Sequence, residues 1–236
     1  MFDLGLVLTL VVLLPGYKLG QSLIFQGDRS EHRLKQYLRS MLIPVILVSG
    51  LTLQWVHTGR AFSSLGLDPP ITVAAVAGLG LALCILMGLA VTIIVRPQRH
   101  GPSGQETPAK KIMPQTRVEL IVFAAFSLVL GCGWEILYRG YLLWFLPARL
   151  GLPASVFIAA LAYGLAHGFK NAKMFAGSLV SAFVFTIAFA VTRNLWWLMI
   201  VHCGLPLLGA FAFHRQQASK LPAAHSTAAA VELAAP

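Results

Sequence analysis

Glu135 and Arg139 stand four residues apart in GCGWEILYRGYLLWFL, a run that is otherwise apolar. At that spacing, with the acid first, the two side chains meet on one face of a helix. Two histidines lie in similarly apolar company, His167 at the end of LAYGLAHGF and His202 within LWWLMIVHCGLPLLG. An imidazole donates and accepts protons near neutral pH. A carboxylate and two imidazoles, if they meet, could therefore exchange and hold protons at one site. The plainer use of the same atoms is structural. Glu135 and Arg139 would pin two helices together, with the arginine snorkelling toward water, and a lone histidine in an apolar span is more commonly a packing residue.

The surrounding composition decides what those charges cost. Of the 236 residues, 57% are hydrophobic and 11% charged, and the mean hydropathy is +0.76. Such a chain lies outside the range of soluble globular domains and is expected in a bilayer. Among the eight acidic residues, Glu135 alone falls deep within an apolar span. A charge near the bilayer centre costs about 2.5–3.5 kcal/mol on insertion scales, which makes an intramembrane ionisable residue a functional candidate. The net charge of +10 does not mark a nucleic-acid binder, because Lys and Arg sit in short loops and form no basic face.

Apolar runs predict an all-α polytopic bundle of about seven membrane helices. They are placed at Phe2 to Phe25, Met41 to Val56, Ile71 to Val95, Val118 to Leu146, Pro153 to His167, Met174 to Val191 and Leu195 to Phe213. The first is expected to be a retained helix, since it lacks a basic leader and a cleavage signal. The basic segments Gln26 to Ser40, Arg96 to Arg117, Lys170 to Lys173 and Arg215 to Lys220 all fall on one side. The positive-inside rule then sets the N-terminus outside and the C-terminus in the cytoplasm of the cell (plasma or inner) membrane. Three regions follow: residues 1–115 with N-terminal helices and cytoplasmic loops, a core over 116–213, and a disordered tail over 214–236. Gly101 to Pro108 is expected to be a flexible loop. Gly16 with Gly20, and Gly164 with Gly168, have the spacing that permits close helix packing. Cys84, Cys132 and Cys203 lie in apolar spans and are expected to be packing residues.

Helical rise tests whether the candidates meet. Glu135 lies about 18 Å before the turn near Pro147, and His167 about 21 Å after the restart at Pro153, so an antiparallel hairpin sets them level. His202, about 10 Å from its own turn near Asn194, joins them only if that hairpin projects farther outward. Tyr163, one turn before His167, is expected either to orient that imidazole or to pack.

Trp134-Glu135-Ile-Leu-Tyr-Arg139-Gly140, then Tyr163-xxx-His167, then His202 after Leu195-Trp196-Trp197, resembles the three-motif signature of the CAAX prenyl protease and bacteriocin-processing (abortive-infection type) membrane proteases. The resemblance runs from about Thr116 to Phe213. It implies an intramembrane endopeptidase that cleaves a membrane-anchored or lipid-modified peptide. In the roles it implies, Glu135 and His167 polarise water, His202 binds the oxyanion and Arg139 holds Glu135. The family pattern is Glu-Glu-xxx-Arg and His-xxx-Asn or Asp, so Trp134 stands for the first glutamate and Pro206 for the Asn or Asp. Those two substitutions motivate an alternative, a pseudoprotease that binds membrane peptides or partner helices without cutting them. A transporter would call for an inverted repeat, and none is visible. No cofactor is expected. Were a metal present it would be zinc held by Glu135, His167 and His202, whose ligand types suit it although they lack the local spacing of a zinc-binding helix.

Overall fold

The computed structural model describes residues 1–24, 32–95, 112–169 and 171–218. Among these residues there are seven apolar helices and no strand, six of the helices being long and apolar enough to cross a membrane. They are α1 (Phe2–Leu23), α2 (Arg33–His57), α3 (Val73–Val95), α4 (Arg117–Leu150), α5 (Leu152–Ala166), α6 (Ala172–Thr192) and α7 (Trp196–Ala218). Their outward faces carry exposed Leu53, Val73, Met87 and Ile121. The polar backbone is satisfied inside each helix, as a lipid environment demands. The predicted loop at Gly101 to Pro108 and the tail from Ser219 onward lie outside the described residues. Two expected boundaries shift. Helix α2 begins at Arg33 rather than Met41, and α7 continues through Ala218 where the tail was expected to start.

The early start of α2 has a packing cause. Its first turns bury Tyr37 against Phe123 and Phe126 of α4, with the Tyr37 hydroxyl donating to the carbonyl of Ile112. At the start of α4 the Thr116 hydroxyl accepts from the Glu119 amide at 3.1 Å, and the Glu119 carboxylate accepts from the amides of Gln115 and Thr116 at 2.6 and 3.4 Å. This capping box satisfies amides that have no partner within the helix.

Helix α4 is the central element, lying against both α2 and α7; α5 packs on α1 and α6. Its second half is enclosed: Leu137, Tyr138, Arg139, Gly140 and Tyr141 are all buried. That enclosure depends on glycines. A Cβ on Gly131 would lie 2.5 Å from Sγ and 3.1 Å from the amide nitrogen of Cys203 in α7, one on Gly133 would lie 3.2 Å from Pro44 in α2, and one on Gly140 would lie 2.9 Å from the carbonyl of Leu65. The glycine pairs expected to pack divide differently. Gly16 and Gly20 have nothing within 4 Å of a Cβ, whereas Gly164 meets Leu179 of α6 and Gly168, at φ +69°, ends α5 in a left-handed turn beside Lys18.

Two π turns interrupt the helices, Thr9–Leu13 in α1 and Ile136–Tyr141 in α4, and they touch each other. In the i→i+5 register of a π turn, the Leu10 carbonyl would bond to residue 15. Pro15 has no N–H to give. The Tyr138 hydroxyl donates to that carbonyl instead, at 3.0 Å, so the second π turn satisfies what the first leaves open. Beside it Arg60 forms two hydrogen bonds to Asp3 at 3.0 and 2.9 Å and lies over the rings of Trp55 and Trp144. The Tyr141 hydroxyl donates to the Asp3 carbonyl at 2.9 Å. The hydrogen bonds that Arg60 itself makes to Asp3 hold its guanidinium protonated above even its ordinary range.

Gly131→Ala forces a methyl against the backbone of α7. It should lower stability by about 1–3 kcal/mol, the usual range for overpacking, read as a lower midpoint of thermal unfolding in detergent. Gly177→Ala, which meets nothing within 4 Å, should not lower the midpoint, since Ala is the better helix former.

Candidate functional site

Glu135 is the last residue before the π turn of α4, and Arg139 lies within that turn. Both are sealed from solvent, at 2% and 0% exposure. Arg139 Nη1 donates to Glu135 Oε1 at 2.6 Å. The same oxygen accepts from His202 Nδ1 of α7 at 2.8 Å. A carboxylate oxygen only accepts, so Nδ1 carries the proton, and a neutral His202 has its lone pair on Nε2. The arrangement is a chain of three, Arg139 to Glu135 to His202, with the imidazole at its more exposed end.

Tyr163 of α5 closes the chain from the side. The Arg139 guanidinium sits 4.1 Å from the centre of its ring, a distance at which the ring face attracts the cation. The Tyr163 hydroxyl lies 3.3 and 3.4 Å from the two nitrogens of His202. His167 meets the other side of this arrangement: its ring packs edge-on against Tyr163 at 4.6 Å between centroids, and its Nδ1 donates to the Tyr163 carbonyl at 2.9 Å. His167 is exposed at the end of α5.

Of the residues picked out in the sequence, the structure therefore joins Glu135, Arg139 and His202 by direct hydrogen bonds and connects His167 to them by way of Tyr163. Of the two roles expected for Tyr163, the hydroxyl contact is with His202 rather than with His167. Trp134 lies half-buried against Tyr138. Pro206 is inside α7, where it removes the amide that would bond the carbonyl four residues earlier, that of His202.

Three atoms of the ion pair, Glu135 Oε2 and Arg139 Nε and Nη2, are buried with no hydrogen-bond partner among the described residues. Leaving a buried polar group unmet costs about 1–3 kcal/mol, and more for a charged one. The pair thus has capacity for a further polar partner beyond those the described residues supply. Among the described residues no three His, Cys, Asp or Glu side chains are grouped to hold a metal ion. The zinc trio of Glu135, His167 and His202 is not brought together as such a group.

Residues 116–208 match the model of a protein family described as type II CAAX prenyl endopeptidase, Rce1-like. No curated protein and no solved structure matches the chain.

Removing one member of a buried pair leaves an uncompensated charge, which costs about 3–5 kcal/mol, whereas replacing both members by apolar groups is often close to neutral. Arg139→Met should therefore destabilise strongly, and Arg139→Met combined with Glu135→Leu should recover most of the loss. Denaturation midpoints of the two single variants and the double variant measure the coupling.

Proposed function

We propose that the chain is an intramembrane peptide hydrolase of the CAAX-endopeptidase kind, acting on a membrane-anchored or lipid-modified peptide. The observation that carries this reading is the buried hydrogen-bonded chain of Arg139, Glu135 and His202 within the segment that matches an endopeptidase family. In this reading Nε2 of His202 takes a proton from water, and Glu135 holds the opposite Nδ1–H and balances the imidazolium that forms. Arg139 keeps Glu135 charged and in place. The Tyr163 hydroxyl supplies a donor beside His202 for the developing oxyanion. His167, on the exposed side of Tyr163, returns a proton to the leaving amine.

These roles differ from those implied by the resemblance, in which Glu135 and His167 polarise water and His202 binds the oxyanion. The reason is that Glu135 Oε1 already accepts from a guanidinium and an imidazole. The lone pairs of that oxygen are engaged, whereas a neutral His202 keeps the lone pair of Nε2 available. The reading is metal-free, and its orientation sets the N-terminus outside and the C-terminus in the cytoplasm.

Purified protein with quenched fluorescent membrane-anchored peptides tests this reading. His202→Ala should lower turnover by about 10²–10⁴-fold, the usual share of a general base, and Glu135→Gln should also lower it. Turnover should persist in a strong chelator. Wild-type protein that retains peptides without cutting them, and gains turnover in Trp134→Glu with Pro206→Asn, would instead establish the non-cutting alternative.

A further inference from the structure

Cys132 lies one turn before Glu135 on α4, and Cys203 directly follows His202 on α7. Their sulfurs are 3.9 Å apart, and both thiols are free. Cys132 is half-buried and Cys203 buried. The contact exists because Gly131 lets the two backbones close: a Cβ there would fall 2.5 Å from Cys203 Sγ. A disulfide needs a sulfur separation of about 2.05 Å, so the remaining gap is small beside the reach of two side chains already turned toward each other.

We propose that Cys132 and Cys203 are an oxidisable pair, which a membrane-permeant small disulfide converts into an intrachain cross-link between α4 and α7. The half-buried Cys132 reacts first. Its sulfur bonds to one sulfur of the reagent, the reagent's S–S bond breaks, and one reagent thiol leaves with the Cys132 proton. The Cys203 sulfur then attacks Cys132 in this mixed disulfide and expels the second reagent thiol, which carries away the remaining proton. The two cysteines are oxidised by two electrons and the reagent is reduced to two thiols.

The cross-link has a consequence for the neighbouring site, which rests on the hydrolase reading. In that reading the peptide meets Nε2 of His202, which α7 carries and Glu135 of α4 holds, so admitting it requires α7 to shift against α4. A covalent bond one turn from Glu135 and one residue from His202 prevents that movement and stops turnover.

The full chain in detergent micelles, treated with dipyridyl disulfide and mapped by mass spectrometry, tests the pair. The expected product is a linked Cys132–Cys203 peptide lacking two hydrogens, with no pyridyl group retained on either residue, and reversible by dithiothreitol. A pyridyl adduct kept on either cysteine, or two unreacted thiols when the exposed Cys84 is fully modified, overturns the proposal. This mass readout is independent of turnover, so it decides the cross-link even if the hydrolase reading fails. In active protein, turnover should disappear on oxidation and return on reduction, while Cys132→Ala should stay active throughout. Persistent turnover in fully cross-linked protein would overturn the blocking effect.

Discussion

A carboxylate sealed inside a membrane-type helix bundle is tolerable only if its charge is met at once. Glu135 is met twice on a single oxygen, by Arg139 at 2.6 Å and by His202 at 2.8 Å. The first contact lies within α4 and needs only helical spacing. The second crosses to α7, and it is there that the bundle is constrained. Helix α7 must approach α4 closely enough for an imidazole to reach a buried carboxylate, and Gly131 provides that approach where its missing Cβ faces Cys203. Whatever chemistry the site performs, the contact between α4 and α7 sets its geometry.

Irregular backbone positions the rest. A π turn begins immediately after Glu135, and it alters the rotation of every later residue in α4. Through it Tyr138 reaches the Leu10 carbonyl, Arg139 lies over Tyr163, and Tyr141 reaches Asp3. The partner turn in α1 precedes Pro15, whose missing N–H leaves an acceptor for Tyr138. π turns are rare and occur frequently at functional sites. Here the two are coupled by a hydrogen bond, so that α1 braces the segment carrying the ion pair. The connection between α6 and α7 is fixed too: the Leu195 amide donates to Gly66 and Asn194 to the Asp68 carbonyl, each at 2.8 Å. This anchors the start of α7, and with it the level of His202.

Hydropathy alone made the seven helices readable, because each apolar run is bounded by charged or turn residues. The pairing of Glu135 with Arg139 was readable from spacing for the same local reason. Which histidine bonds to Glu135 was not. Depth arithmetic set Glu135 level with His167 and made His202 conditional, since it used straight helices of ideal rise. The π turn in α4, lying between Glu135 and the turn near Pro147, breaks that assumption and leaves no periodic signal in the sequence. Gly131, Gly133 and Gly140 were also hidden, because their value lies in three different neighbours and not in a spacing motif. Cys132 and Cys203, read separately as packing residues, became a pair only once α4 and α7 were in register.

Solid-state NMR on protein labelled at the glutamate carboxyl and the histidine ring nitrogens, in lipid, reads the central contact without reference to activity. The account predicts strong dipolar coupling between the Glu135 carboxyl and His202 Nδ1, consistent with the 2.8 Å hydrogen bond, with the imidazole proton on Nδ1. Absent coupling, or a neutral His202 protonated on Nε2, would contradict it.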